Sequence, residues 1–247
     1  MMLQNPFKLL NKFEKCLWLT SVVVVILSYV LSGFEGLANT ICSLIGVTAL
    51  IFVAKGHVLG MTLCIIFAAF YGLISLHFRY YGELITYAGM TLPMDVFALI
   101  SWIKNPYKDT HEVKVAKMKK GQTALMWIST AVVTVVFYFI LKVLNTPNIY
   151  PSTLSISTSF LAVALTYFRS PYYALAYAAN DIVLIVLWTI ACFTEISYIP
   201  MVMCFVMFLA NDLYGLYNWK RMQKRQSGKP DSKSTGNSCE EQTEDVA

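Results

Sequence analysis

Charge is scarce in this sequence. Lys, Arg, Asp and Glu make up 13% of its 247 residues, against about 25% in a soluble domain whose surface water must solvate. That shortage excludes most soluble enzyme classes. Paired cysteine is also missing. Cys16, Cys42, Cys64, Cys192 and Cys204 lie in apolar runs and Cys239 in a polar tail, with no CxxC or zinc-finger spacing. They read as small buried hydrophobes rather than as a disulfide framework or a metal site. No glycine-rich phosphate loop, HExxH or nucleophile elbow occurs. His57, His77 and His111 are scattered at or beyond the ends of apolar runs. The reading therefore assigns no catalytic residue, no metal ligand and no cofactor. The basic segment HEVKVAKMKKGQ is short and has no aromatic stacking platform, so nucleic-acid binding is not expected.

Apolar residues are what the chain has in excess, at 57% and a mean hydropathy of +0.59. A span needs about 20 mostly apolar residues. Eight stretches qualify: Cys16–Leu31, Leu37–Ala54, Val58–His77, Leu84–Ile103, Thr123–Leu144, Ser152–Phe168, Tyr172–Phe193 and Ile196–Trp219. The first is too long for a signal peptide and no small-residue cleavage site follows it, so it reads as a retained span. The fold class is an all-α polytopic membrane protein. Lys8, Lys12, Lys15, Lys55, the lysines of 104–120, Arg169 and the cluster Lys220, Arg221, Lys224 and Arg225 all fall on one side if the crossings number eight. Arg79 and Lys142 fall opposite, near Glu35, Glu83 and Glu195. The positive-inside rule then puts both termini in the cytoplasm of a cell-membrane protein. The loop Lys104–Gln122 is expected as a solvated basic loop, with a short interfacial helix as the alternative. The polar end of the chain is expected to be disordered.

The fourth and eighth spans share a pattern. Asp95 and Trp102 in PMDVFALISW match Asp212 and Trp219 in ANDLYGLYNW. VAKGHVLG (53–60) resembles YFRSPYYA (167–174), and AAFY (68–71) lines up with AAND (178–181). Two three-helix repeats follow, joined by the fifth span as linker, with the first span as an extra helix. An odd number of linking spans makes the repeats parallel. The organisation is residues 1–35 (N-terminal segment and extra helix), 36–104 (first repeat), 105–151 (basic loop and linker), 152–220 (second repeat) and 221–247 (cytoplasmic tail).

Ionisable groups inside spans are costly and mark function. The deep ones are Asp95, Asp181 and Asp212, with Asn180 and Asn211 beside two of them. Pro93 is a reason for Asp95 to be turned elsewhere. Tyr71, Tyr177, Trp188, Tyr214 and Tyr217 lie on the third, seventh and eighth spans. These ten residues are the candidate substrate-binding set. Aromatic planes, amides and a few acids suit a flat, cationic heteroaromatic ligand with hydroxyls.

From about Gly36 to Arg221 the sequence resembles the PnuC-type nicotinamide riboside transporter family. The resemblance is carried by VAKGHVLG, RYYGELITYAGMTLPMDVFALISWIKNP, RSPYYALAYAANDIVLIVLW and NDLYGLYNWKRM. It implies a fold similar to the SWEET sugar transporters, a 3+1+3 helix arrangement with one added helix. It also implies a homotrimer in the lipid bilayer and passive uptake of nicotinamide riboside for NAD biosynthesis. Many members carry two Trp three residues apart early in the seventh span. Here Ala174 and Tyr177 stand in that region, so the stacking partner is Tyr177 or comes from another helix. Thiamine or riboflavin remain the alternative cargo, and a lipid-modifying membrane enzyme ranks below them.

Overall fold

The computed structural model describes residues 6–34, 37–77, 81–108, 110, 112–146, 148–193 and 199–228. Glu35, Arg79, His111, Glu195 and the tail from residue 229 lie outside them. The described residues are helical apart from short connections. After a 3-10 turn at Pro6–Leu9 come α1 (Lys12–Leu31), α2 (Leu37–Ala54) and α3 (Val58–His77). The fourth span is one helical path in three pieces: α4 (Tyr81–Leu84), a π-helical segment (Ile85–Thr91) and α5 (Leu92–Ile103). Then follow α6 (Lys120–Val143), α7 (Ile149–Tyr167), α8 (Tyr173–Cys192) and α9 (Ile199–Gln226). Seven of these helices are long and apolar enough to cross a membrane. The chain is thus a multi-pass α-helical membrane protein, and the interrupted fourth path is the one that length alone does not count. α9 continues past Trp219, so the chain stays helical beyond the expected boundary at residue 220.

Pro93 explains the interruption. It has no N–H to give to the carbonyl four residues back, and its ring crowds that carbonyl. The turn ahead of it widens instead, and Leu92 N–H reaches back to Tyr87 O. Wide turns of this kind are common where a helix serves a site.

Six helical elements pack in a closed ring: α2 on α3, α3 on α5, α5 on α7, α7 on α8, α8 on α9, and α9 back on α2. α1 lies outside the α2–α9 seam and α6 lies outside α7. The turn from α2 to α3 and the turn from α7 to α8 are built alike. Gly56 (φ 66°) and Arg169 (φ 56°) each take the left-handed conformation. Gly56 N–H donates to Val53 O (2.8 Å) and His57 N–H to Phe52 O (3.0 Å); Arg169 N–H donates to Thr166 O (2.9 Å) and Ser170 N–H to Leu165 O (2.9 Å). Both are Schellman caps. His57 Nδ1 then accepts from Leu59 N–H, as Ser170 Oγ does from Tyr172 N–H. These bonds pair Val53 with Thr166, one residue away from the match read in the sequence. In the same register Asn180 and Asp181 stand opposite Phe67 and Ala68. The alignment of AAFY (68–71) with AAND (178–181) is thus out of register with these turns.

Two tryptophans close the basic end of the ring. Trp102 Nε1 donates to Thr166 O (3.0 Å) and Trp219 Nε1 to Val53 O (2.9 Å). The first joins α5 to α7 and the second joins α9 to α2. Their rings meet at 5.3 Å, and Tyr173 packs on Trp219 at 4.8 Å. All three are fully buried.

The described part of the basic loop forms no interfacial helix, and its lysines are exposed, as a solvated loop requires; its valines, though, are drawn onto the protein. Residues 112–118 cross the end of the ring as an extended strap. Val113 N–H donates to Gly56 O (2.9 Å) and Ala116 N–H to Arg169 O (3.0 Å), so the strap ties the two matching turns. The Gln226 amide at the end of α9 accepts from Val115 N–H (2.8 Å) and donates to Val113 O (3.1 Å), and Arg225 pairs with Glu112. Val113 is buried against Trp219 and Met222. A Cβ on Gly56 would lie 2.7 Å from Met222 Cε, the movable end of a flexible side chain, so it is the positive φ that calls for glycine there.

Candidate functional site

Inside the ring lies a cavity to which α2, α3, the π segment, α5, α7, α8 and α9 all contribute. Its polar lining includes Asp95 from α5, Thr166 from α7, Tyr177, Asn180 and Asp181 from α8, and Asp212 from α9, and aromatic residues line the same cavity. Among them are Phe67 from α3, Tyr87 from the π segment and Phe208 from α9. Phe67 lies edge-on to Tyr87 and to Phe208, each at 6.1 Å. The space open to the centres of water-sized molecules is about 90 Å³. That is room for several waters.

The three carboxyl groups are almost wholly buried. Asp181 and Asp212 are neighbours in this lining. Asp95 Oδ1 and Asp181 Oδ2 have no donor among the described residues. Buried acids without partners are unfavourable in a folded interior, and such groups call for a ligand or water to complete them. Asn180 is held from behind. Its Oδ1 accepts from Ser155 Oγ (3.0 Å) and Thr158 Oγ1 (2.9 Å), both on α7. Asn180 itself is part of the cavity lining. No Lys, Arg or His lines the space. Among the described residues no three His, Cys, Asp or Glu come together as a metal site.

The sequence profile of the nicotinamide mononucleotide transporter family matches residues 36–221. The chain belongs to this family. A curated relative, the nicotinamide riboside transporter PnuC of Neisseria mucosa, is 25% identical over 194 residues, which cover 76% of this chain and 74% of that protein. A crystal structure of the vitamin B3 transporter PnuC superposes with a TM-score of 0.75 at 23% identity, covering 88% of this chain and 94% of that one. At that identity the superposition speaks for the fold.

Against this family background, the cavity takes five of the ten candidate residues: Asp95, Tyr177, Asn180, Asp181 and Asp212. Pro93 does not turn Asp95 away, because the distortion falls ahead of the proline and Tyr87, Thr91 and Asp95 recur on one face. The other five are placed elsewhere. Asn211 is about 100° around α9 from Asp212, and its Nδ2 donates to Ser21 Oγ of α1 (3.0 Å) and to Met207 O (2.8 Å). Tyr214 donates its hydroxyl to Glu14 of α1. Tyr71 stacks behind Phe67 at 5.8 Å. Trp188 is half-buried on α8 outside the lining, and Tyr217 is 64% exposed. The sequence reading missed Phe67, Tyr87, Thr91, Thr166 and Phe208. Tyr87, Thr91 and Asp95 at a spacing of four were a visible signal. Nothing in the sequence distinguishes Phe67 and Phe208 from lipid-facing phenylalanines.

Proposed function

We propose that this chain is a facilitator that carries nicotinamide riboside across the cell membrane. The observation that carries the reading is the make-up of the cavity wall: three carboxyls, one amide, aromatic faces and no cation. The family description speaks of the mononucleotide, the relative's name of the riboside, and the two cargoes differ by a phosphate. A phosphate monoester carries about −1.5 to −2 charges at pH 7. Beside Asp95, Asp181 and Asp212 it would meet acids and no guanidinium or ammonium to pair with it. The riboside suits the same wall. Its pyridinium is a flat cation for the acids and for the faces of Phe67, Tyr87 or Phe208. Its ribose hydroxyls are donors for Asp95 and Asp181, and its carboxamide oxygen is an acceptor for Asn180. Tyr177 borders the ring site from α8.

The architecture is read as eight spans in a 3+1+3 arrangement. The ring order and the matching turns at Gly56 and Arg169 support two like units, α2 to α5 and α7 to α9, with α6 as linker and α1 added. Both first helices of the units end at the basic end, so the units run parallel and their axis follows the membrane normal. The cluster of basic residues at that end supports cytoplasmic termini. Alternating access then opens and closes the Trp102–Trp219 floor without ion coupling. Net uptake follows from phosphorylation in the cytoplasm, which leaves a product the cavity rejects. A homotrimer is proposed from the family resemblance.

Calorimetry on the purified protein tests the cargo. The riboside should bind, and the mononucleotide should bind roughly 100-fold more weakly or not at all, a difference of about 2.7 kcal/mol. Equal affinity for the two would refute this reading of the cavity, and displacement of the riboside by thiamine or riboflavin at lower concentration would give the site to another vitamin.

A further inference from the structure

A second pocket lies at the basic end, outside the carboxylate cavity. It is enclosed by α5, α7, the strap and the start of α6. Its open space is about 500 Å³, several times that of the inner cavity. Four cationic side chains line it: Lys104 at the end of α5, Lys117 and Lys119 of the strap, and Arg169 in the α7–α8 turn. No acid lines it.

The other polar side chains there are already engaged. Ser101 Oγ donates to Tyr167 O (2.8 Å), Asn105 Nδ2 to Ser101 O (2.8 Å), and Gln122 Oε1 accepts from Lys119 N–H (2.9 Å). Arg169 is not satisfied: its Nε is buried with no acceptor among the described residues. Burial also lowers the pKa of its guanidinium from the usual value. A guanidinium is difficult to neutralise, so an unpaired one among three lysines attracts an anion, and its fork fits a phosphate.

The backbone adds to the case. In the matching turn the left-handed position is held by Gly56 and its space is filled by Met222. Here the same conformation is imposed on an arginine, against the steric preference of a residue with a Cβ. Phe97 (60% exposed) and Ile100 (42% exposed) also line the pocket, on the face of α5 that carries Lys104. The pocket thus joins a cationic floor to an apolar surface at the level where a span leaves the membrane.

We infer that this pocket binds the phosphate of an anionic membrane lipid, held by Arg169, Lys104, Lys117 and Lys119, with an acyl chain along Phe97 and Ile100. Basic pockets between helices at the cytoplasmic face are suited to such headgroups. A soluble phosphate monoester shares the headgroup chemistry but makes no use of Phe97 and Ile100. The inference does not depend on which cargo the inner cavity takes. A bound lipid would hold α5, α7 and α6 together at the seam opposite the one that α1 covers.

Native mass spectrometry of the full-length protein tests this, with phosphatidylglycerol and phosphatidylcholine of identical acyl chains. Phosphatidylglycerol should bind at least about tenfold more tightly, because phosphatidylcholine carries the same phosphate but adds a quaternary ammonium that the four cations repel. Arg169→Gly should abolish the preference, and so should Lys117→Gln with Lys119→Gln. Glycine suits φ 56°, so the unfolding temperature of lipid-free Arg169→Gly should stay at or above that of the parent, separating lost binding from lost folding. Glycerol 3-phosphate should fail to displace the lipid at comparable concentration. Equal binding of the two lipids, or unchanged phosphatidylglycerol binding by Arg169→Gly, overturns the site. Displacement by glycerol 3-phosphate or inorganic phosphate at comparable concentration overturns the lipid and leaves a soluble anion as the ligand.

Discussion

Asn211 and Asp212 are adjacent in the chain and serve different neighbours. Asp212 faces the cavity and Asn211 faces α1. The two should therefore separate in experiment. Asp212→Asn and Asp181→Asn remove a carboxyl group from the cavity and should weaken riboside binding by roughly 5- to 150-fold, the equivalent of about 1–3 kcal/mol. Asn211→Ala should leave riboside affinity near that of the parent while lowering the unfolding temperature, since it strips a partner from buried Ser21. Calorimetry and thermal unfolding on the same preparations check both. Unchanged affinity in both aspartate variants would remove the acids from the site. At this scale the sequence was partly legible. A buried carboxylate in a span is conspicuous, so Asp95, Asp181 and Asp212 were readable by type. Which of two neighbours faces inward depends on the helix phase. That phase is set here by α1, whose Ser21 and Glu14 draw Asn211 and Tyr214 outward, and nothing in the sequence of α9 announces it.

Among elements, the π segment and α1 shape the ring most. Pro93→Ala restores an N–H and lets the fourth path become a regular α-helix. Losing the wide turn would rotate Tyr87 and Thr91 relative to Asp95, and riboside affinity should fall without loss of stability. Circular dichroism and binding together test this; unchanged affinity in a well-folded variant would show that the wide turn does not set the site. α1 is tied to the seam by Glu14, which is fully buried, pairs with Lys55 at 3.2 Å and accepts from Tyr214. Trp18 Nε1 adds a bond to Thr48 (3.1 Å). Glu14→Ala leaves Lys55 without its partner, and breaking a buried pair costs about 3–5 kcal/mol. The unfolding temperature in detergent should drop clearly, and an unchanged one would reduce α1 to a passive neighbour. The long spans were legible because about 20 apolar residues in a row have few other uses. The strap was missed because its lysines dominate the composition of 104–122. Its signal was the alternation Val113, Lys114, Val115, with one valine buried, one half-buried and the lysine between them exposed.

For the whole molecule, ring order and charge make linked predictions. If the basic end is cytoplasmic, a cysteine at Lys114 should react only from inside and one at Asn148, at the head of α7, only from outside. Labelling of both from outside would contradict the orientation. The floor of Trp102, Trp219 and Tyr173, with the strap beneath it, closes the route toward the basic end, so release to that side requires these contacts to part. The central claim is passive carriage of the riboside. The direct measurement is counterflow into liposomes loaded with unlabelled riboside, with the voltage held at zero by potassium and valinomycin. The clamp is needed because a cation is otherwise driven by about 2.3 kcal/mol per 100 mV. The account predicts transient uptake of labelled riboside, none of labelled mononucleotide, and no net concentration when a proton or sodium gradient is imposed. Uphill accumulation driven by either gradient, or counterflow of the mononucleotide at a similar rate, would contradict it.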